Sequence, residues 1–194
     1  MAASKDKGDR LEYAVVDSAA KRGIKAVRMR GSDGSGSFIV TQDGEFKKLP
    51  RELDVLMYYD ETFYWLQCKN QESLPDYLFD KSPGVFLERS TETRYLSITV
   101  EMYLDWITEG VAPAPLADFS VYDRARFNKT IKPEDHKGIQ AQVVTKNYKD
   151  TLVVIPAEVV KDQFQVDIFG PSTKILSPAE QKTMAKPVGF RAPI

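Results

Sequence analysis

The sequence predicts an α/β protein: a central mixed β-sheet flanked by helices. Three observations lead there. The first 110 residues read as helix, strand, hairpin, helix, strand, strand, helix. Residues 52–59 (ELDVLMYY) and 62–69 (TFYWLQCK) have the aliphatic and aromatic composition of strands. Two of the helical segments carry apolar residues on one side only, so each needs a surface to cover.

Residues 9–22 form the first expected helix. Leu11, Ala14, Val15, Ser18 and Ala19 make its stripe, with Glu12 on the flank, Asp9 as N-cap and Gly23 as the stop. A strand follows at 24–30, with Arg28 and Arg30 on one face, and then the turn sequence GSDGSGS (31–37). The stretch from there to Pro50 carries no clear pattern. The runs 52–59 and 62–69 read as a hairpin about Asp60-Glu61, which lacks the glycine of a tight two-residue turn and so suggests a looser connection. Residues 74–81 fit a short helix, with Ser73 as N-cap and Pro75 in the first turn. Residues 84–89 and 95–100 read as strands. Residues 101–109 read as a helix with Met102, Tyr103, Trp106 and Ile107 on one face and Gly110 at its end.

Val111-Ala-Pro-Ala-Pro115 looks like a linker (about 111–117). It divides a core at 1–110 from an extension at 111–194 whose role the sequence does not assign. Within the extension, 139–145 and 151–155 suit a strand pair and 156–164 a short helix.

Composition narrows the chemistry. The chain of 194 residues is long enough for a proper core. One cysteine excludes a disulfide framework or a cysteine-rich zinc site. One histidine, His136 in the charged segment KPEDHKG, excludes a multi-histidine metal site. No apolar run approaches the roughly 20 residues of a membrane span. The opening MAASKDKGD lacks the apolar stretch of a secretory signal, so an intracellular location is the default expectation. Residues 1–30 carry eight Lys and Arg against four acids. A solvated surface explains that excess nearly as well as a nucleic-acid partner does.

The hairpin holds the most informative residues. With the turn at Asp60-Glu61, opposed positions sum to 121. Asp54 then faces Gln67, and Glu52 faces Lys69. These four share one face, while Leu53, Val55, Leu66 and Cys68 point to the other. An acid, an amide oxygen and an ammonium at one spot suit a divalent metal site; a structural charge pair such as Glu52–Lys69 is the plainer alternative. Cys68 reads as packing, and Tyr58, Tyr59, Phe63 and Tyr64 as strand core.

On these residues the chain resembles the PD-(D/E)xK nuclease superfamily. Its N-terminal half is most similar to the archaeal and viral Holliday junction resolvases. Gly8-x-x-x-Glu12 looks like the opening helix with its metal-site glutamate. Val27 to Ser32 (VRMRGS) resembles the strand that runs into a Gly-Ser turn. Asp54 stands where the metal-binding aspartate lies, and Gln67-Cys68-Lys69 where Glu-x-Lys lies. Two departures stand out: glutamine replaces the glutamate, and the stretch from Ser32 to Asp54 is long. Gln-x-Lys is similar to the Mrr-type restriction endonuclease variant.

The resemblance implies a restriction-endonuclease-like core and a Mg2+-dependent endodeoxyribonuclease, with Mn2+ as a substitute. It implies branched DNA as substrate and a homodimer. It implies catalytic Asp54, Gln67, Lys69 and Glu12. Metal ligands would be Glu12, Asp54, Gln67 and the Cys68 backbone carbonyl, and DNA contacts Arg28, Arg30 and Ser32. The resemblance also extends to virus-encoded enzymes that act inside a host cell. A restriction- or repair-type nuclease, or a non-catalytic DNA-binding or assembly protein on the same fold, remains the alternative.

Overall fold

The computed structural model describes residues 2–29, 38–40, 44, 46–50, 52–70, 74, 76–80, 82–88, 93–111, 120–125, 139–146 and 150–166. Helix α1 (Ala2–Ala20) opens the chain. It starts well before the expected residue 9, because 2–8 hold Ala and Lys, which sustain a helix. Asp9 therefore lies inside the helix and is not its cap. Leu11, Val15 and Ala19 are buried as the spacing requires, whereas Ala14 is exposed. The end of α1 falls where glycine permits it. Gly23 has φ 75, its N–H donates to Ala20 O (3.0 Å), and the Ile24 N–H donates to Ala19 O (3.1 Å). These two bonds are the Schellman termination that a left-handed glycine makes possible.

Strand β1 (Lys25–Arg28) follows. A separate small hairpin, β2 (Phe38–Val40) and β3 (Phe46–Lys48), occupies the stretch without a sequence pattern. β4 (Val55–Tyr59) and β5 (Thr62–Asn70) form the main hairpin. Its register is the expected one, from Val55↔Leu66 to Tyr59↔Thr62. The connection is nevertheless a tight two-residue turn, with Asp60 at φ 43 and Glu61 at φ 62. Two positive φ values in succession match the right-handed twist of the strands, and the hairpin imposes them without a glycine.

Then come α2 (Asp76–Asp80), β6 (Gly84–Glu88), β7 (Arg94–Thr99) and α3 (Val100–Glu109). α3 is capped by Thr99, whose hydroxyl accepts the Met102 N–H at 3.1 Å, and it stops at Gly110 (φ 84). Its buried face is Val100, Tyr103, Leu104, Trp106 and Ile107; Leu104 and Val100 join the expected Tyr103, Trp106 and Ile107, while Met102 is only partly buried. β8 (Ser120–Ala125), β9 (Ala141–Lys146), β10 (Asp150–Pro156) and α4 (Ala157–Phe164) complete the described chain. Among the described residues, no helix is long and apolar enough to cross a membrane.

The main sheet is mixed and open. Seven strands run in the order β1-β4-β5-β9-β10-β7-β6, and β8 adds to the β6 edge. β5 pairs β9 in parallel, and β6 pairs β8 in parallel; the other neighbours are antiparallel. β9 and β10 come from beyond residue 111, so the expected extension contributes the middle of the sheet. Such strands are shielded on both faces, and Ala141, Val143, Val144 and 152–155 are buried apolar residues.

One face of the sheet is covered by α1, α3 and α4, whose apolar sides meet Val55, Met57, Leu66, Val143, Val153 and Ile155. Each fully buried side chain of this size contributes about 1.5–3 kcal/mol. On α4, Phe164 meets Trp106 and Tyr103 edge-to-face at 5.5 and 5.9 Å. The opposite face carries two smaller clusters. Leu74 and Leu78 cover Phe86, Tyr95, Val144, Leu152 and Val154. Leu49, Leu53, Trp65 and Ile139 form the other.

Candidate active site

The site begins where β4 leaves β5. The Asp54 N–H donates to the Leu66 carbonyl at 3.0 Å, although Leu66 is the register partner of Val55. Two consecutive residues thus address one, as at a β-bulge, which re-aims the side chains before it. Leu53 accordingly packs with Trp65, not on the Val55–Leu66 face that strict alternation assigns it. With strand pairing ended, the Cys68 N–H turns to the Asp54 carboxylate, 2.8 Å from Oδ2. The Asp54 carbonyl accepts the Met29 N–H at 2.8 Å, which ties this point to the end of β1. A strand residue turns its N–H and C=O toward the same neighbour, so the Cys68 carbonyl also faces the Asp54 side.

Asp54 is half-buried, and its carboxyl titrates above the ordinary range. Burial is the first cause, and the charge of Glu12 adds to it. The Cys68 N–H, Lys69 and Arg28 act in the opposite direction. The same fields reach the Cys68 thiol, which burial first, then Asp54 and Glu12, push well up. A thiol so raised is no nucleophile. Cys68 packs against the core, as its place in the hairpin suggests.

Glu12 reaches this region from α1, and its carboxylate is ion-paired with Arg28 of β1. Arg28 also pairs with Asp9, one turn earlier on α1, and lies over the Tyr13 ring, 4.6 Å from its centroid. These partners, the Glu12 hydrogen bond foremost, raise the pKa of the guanidinium above its already high value. Tyr13 was not singled out from the sequence, and Asp9 only as the expected N-cap. Glu12 and Tyr13 stand three and four positions after Asp9, the spacing that brings side chains together on a helix, and that is the signal that was there to use.

Gln67 and Lys69 follow one another on the same face of β5. Gln67 is buried, and its Oε1 accepts a 2.5 Å hydrogen bond from Nε2 of Gln142 on β9, its register partner. Sequence reasoning missed Gln142, since nothing local foretells that β9 lies beside β5. The Lys69 ammonium makes no hydrogen bond or ion pair with the described residues, though it acts on Asp54 through space. The cross-strand pair of Glu52 with Lys69 does not form: β4 begins only at Val55, which leaves Glu52 exposed in a turn.

The structure therefore brings Glu12, Arg28 and Lys69 within electrostatic reach of Asp54 and Cys68, with Gln67 next to Cys68 along β5. Arg30, Ser32 and His136 lie outside the described residues. Among the described residues, no three Asp, Glu, His or Cys side chains are grouped to hold a metal ion. No protein-family profile matches the chain, and no curated protein matches it either.

Proposed function

We propose that this chain is a metal-dependent DNA endonuclease with a restriction-endonuclease-like core, of the type that resolves Holliday junctions. The observation that carries the reading is the convergence of Asp54, Glu12 and Lys69 where β4 parts from β5. A helix, three antiparallel strands and a fourth strand parallel to the third supply the scaffold for it. The donors are hard oxygens: the Asp54 and Glu12 carboxylates, the Gln67 amide and the Cys68 carbonyl. Magnesium favours such donors and needs only one or two carboxylates, since it keeps several waters. The raised pKa of Asp54, with Glu12 among its causes, supports the fit, because a cation relieves that repulsion.

Bound there, magnesium supplies an acidified water and a polarised phosphate. The protein supplies the rest. Asp54 holds its carboxylate in place through the Cys68 N–H. Lys69, free of an ion pair with the described residues, stabilises the negative charge that develops on the phosphate. Arg28 adds its charge from the end of β1. A resolvase cuts two opposed strands, which calls for a symmetric pair of chains.

The test is cleavage of four-way junctions and of linear duplex with magnesium, by the parent and by Asp54→Ala. Junction cleavage that disappears in Asp54→Ala is the expected result. Equal cutting of linear duplex replaces the resolvase assignment with a restriction- or repair-type nuclease.

Two observations favour a second reading, a non-catalytic DNA-binding or assembly protein on the same fold. Glu12 is neutralised by Arg28, and Gln67 is occupied by Gln142. Calorimetry separates the two. DNA binding without any magnesium or manganese binding selects the second.

A further inference from the structure

Asp9 and Glu12 stand three positions apart on α1, a spacing at which two carboxylates repel. Both are ion-paired with the same guanidinium, that of Arg28 on β1. The two bonds use different nitrogens of it. Arg28 Nε donates to Glu12 Oε2, and Nη2 donates to Asp9 Oδ1. The Tyr13 ring, 4.6 Å from its centroid to the guanidinium carbon, braces the same group. Glu12 is the more enclosed of the two acids, and its charge acts on Asp54. One guanidinium thus serves two acids, of which one also belongs to the surroundings of Asp54.

We infer that Asp9 is a positioning residue: it keeps Arg28 paired when Glu12 turns from Arg28 to a cation held with Asp54. This rests on the metal-dependent reading above. If Glu12 were the only acid on Arg28, its departure would strand a largely enclosed guanidinium. A charge left in that state is far more costly than a paired one. The guanidinium has five N–H donors in a fixed fork, so the Nη2 bond to Asp9 does not depend on the Nε bond to Glu12. With Asp9 and Tyr13 in place, Arg28 keeps its position while Glu12 moves. Asp9 also loosens Glu12 directly, because two like charges on one cation repel each other. Both effects make the Glu12 carboxylate exchangeable. Groups behind a metal ligand regularly set its availability, and losing one weakens metal binding roughly tenfold to hundredfold. A purely structural Asp9 would only fasten α1 to β1, and cation binding would not feel its loss.

The experiment is Mn2+ titration by calorimetry on the full chain, with metal-free thermal unfolding of each protein. The set is the parent, Asp9→Asn, Arg28→Met and the double variant. Asparagine keeps the shape of Asp9 and removes its charge. Asp9→Asn is expected to weaken Mn2+ binding by roughly tenfold or more in the parent background. In the Arg28→Met background the same change is expected to cost at most about threefold, since no guanidinium then holds Glu12 and only the lost field of Asp9 remains. Equal weakening in both backgrounds overturns the proposal, because Asp9 then acts on the cation directly. If Arg28→Met does not fold, Arg28→Gln takes its place, being equally uncharged. A parent chain that binds no Mn2+ overturns the metal-dependent reading and this inference with it. A parent that binds, beside an Asp9→Asn variant that binds equally and only unfolds earlier, overturns the inference alone.

Discussion

Arg28 is the group whose removal tests the electrostatics of the site most directly. Its side chain is 15% exposed, that of Glu12 13%, and that of Asp9 38%. Arg28→Met keeps the packing stem and deletes the charge. Glu12 then sits nearly enclosed, close to Asp54, without its counterion. Removing one partner of a fully buried pair costs about 3–5 kcal/mol. The Asp9 contact is more exposed and contributes under about 1 kcal/mol. Neither partner of the Glu12 pair is fully enclosed, so the expected loss is about 2 kcal/mol. A divalent cation bound by Asp54 and Glu12 replaces the missing charge. A ligand at a hundred times its Kd adds about 2.7 kcal/mol, and the variant binds it without competition from the guanidinium. The assay is urea unfolding of parent and variant, with EDTA and with saturating Mg2+. The variant is expected to fall about 2 kcal/mol below the parent in EDTA, with the gap at least halved in Mg2+. An equal deficit in both conditions refutes the argument, because Arg28 and the metal would then not share Glu12.

Two further predictions concern single positions. The folded-state pKa of Asp54 lies above the usual 3.8. Such a group favours the folded state at low pH, and the benefit is lost as pH rises through the folded value. Asp54→Asn is therefore expected to melt higher than the parent at pH 7, with the difference shrinking as pH falls toward 3.8; a constant difference across that range contradicts the assignment. Glu61 holds φ 62 in the hairpin turn. A left-handed residue with a Cβ costs about 1–2 kcal/mol, and glycine returns part of that in chain entropy, so Glu61→Gly should stabilise by about 0.5–1 kcal/mol. An unmoved or lowered denaturant midpoint would count against it.

The sequence carried the local structure of the hairpin well. The turn at Asp60-Glu61 set the sum of 121, and the register follows it throughout. That is so because a two-residue connection leaves no slack between strands. The helix over 101–109 and the strand pair in the C-terminal segment were legible for similar reasons, since their patterns are short-range. What the sequence could not carry is long-range. Gln142 meets Gln67 only because β9 pairs β5 in parallel, 75 positions away. The Asp54 bulge is also invisible locally. It arises because the chain must reach both the end of β1 and the carbonyl of Leu66, and it moves Leu53 to the other face. Arg28 looked like a phosphate contact on a strand. The expected helix already held Asp9 and Glu12, but nothing local foretells that both reach Arg28 on β1.

The place of β9 and β10 bears on how the protein is made. β5 and β7 are both synthesised before residue 100, yet two later strands separate them in the sheet. As the chain leaves the ribosome, the β4–β5 hairpin and the β6–β7 pair are each able to close on their own. Each then waits with one hydrogen-bonding edge open until residues 141–156 arrive between them. Those edges hold Phe63, Tyr64, Trp65, Leu66, Tyr95, Leu96 and Ile98, the kind of composition that other nascent chains pair with most readily. The final assembly step is also the one that sets Gln142 beside Gln67. A chain released early therefore carries Asp54, Gln67 and Lys69 without the strand that finishes their surroundings.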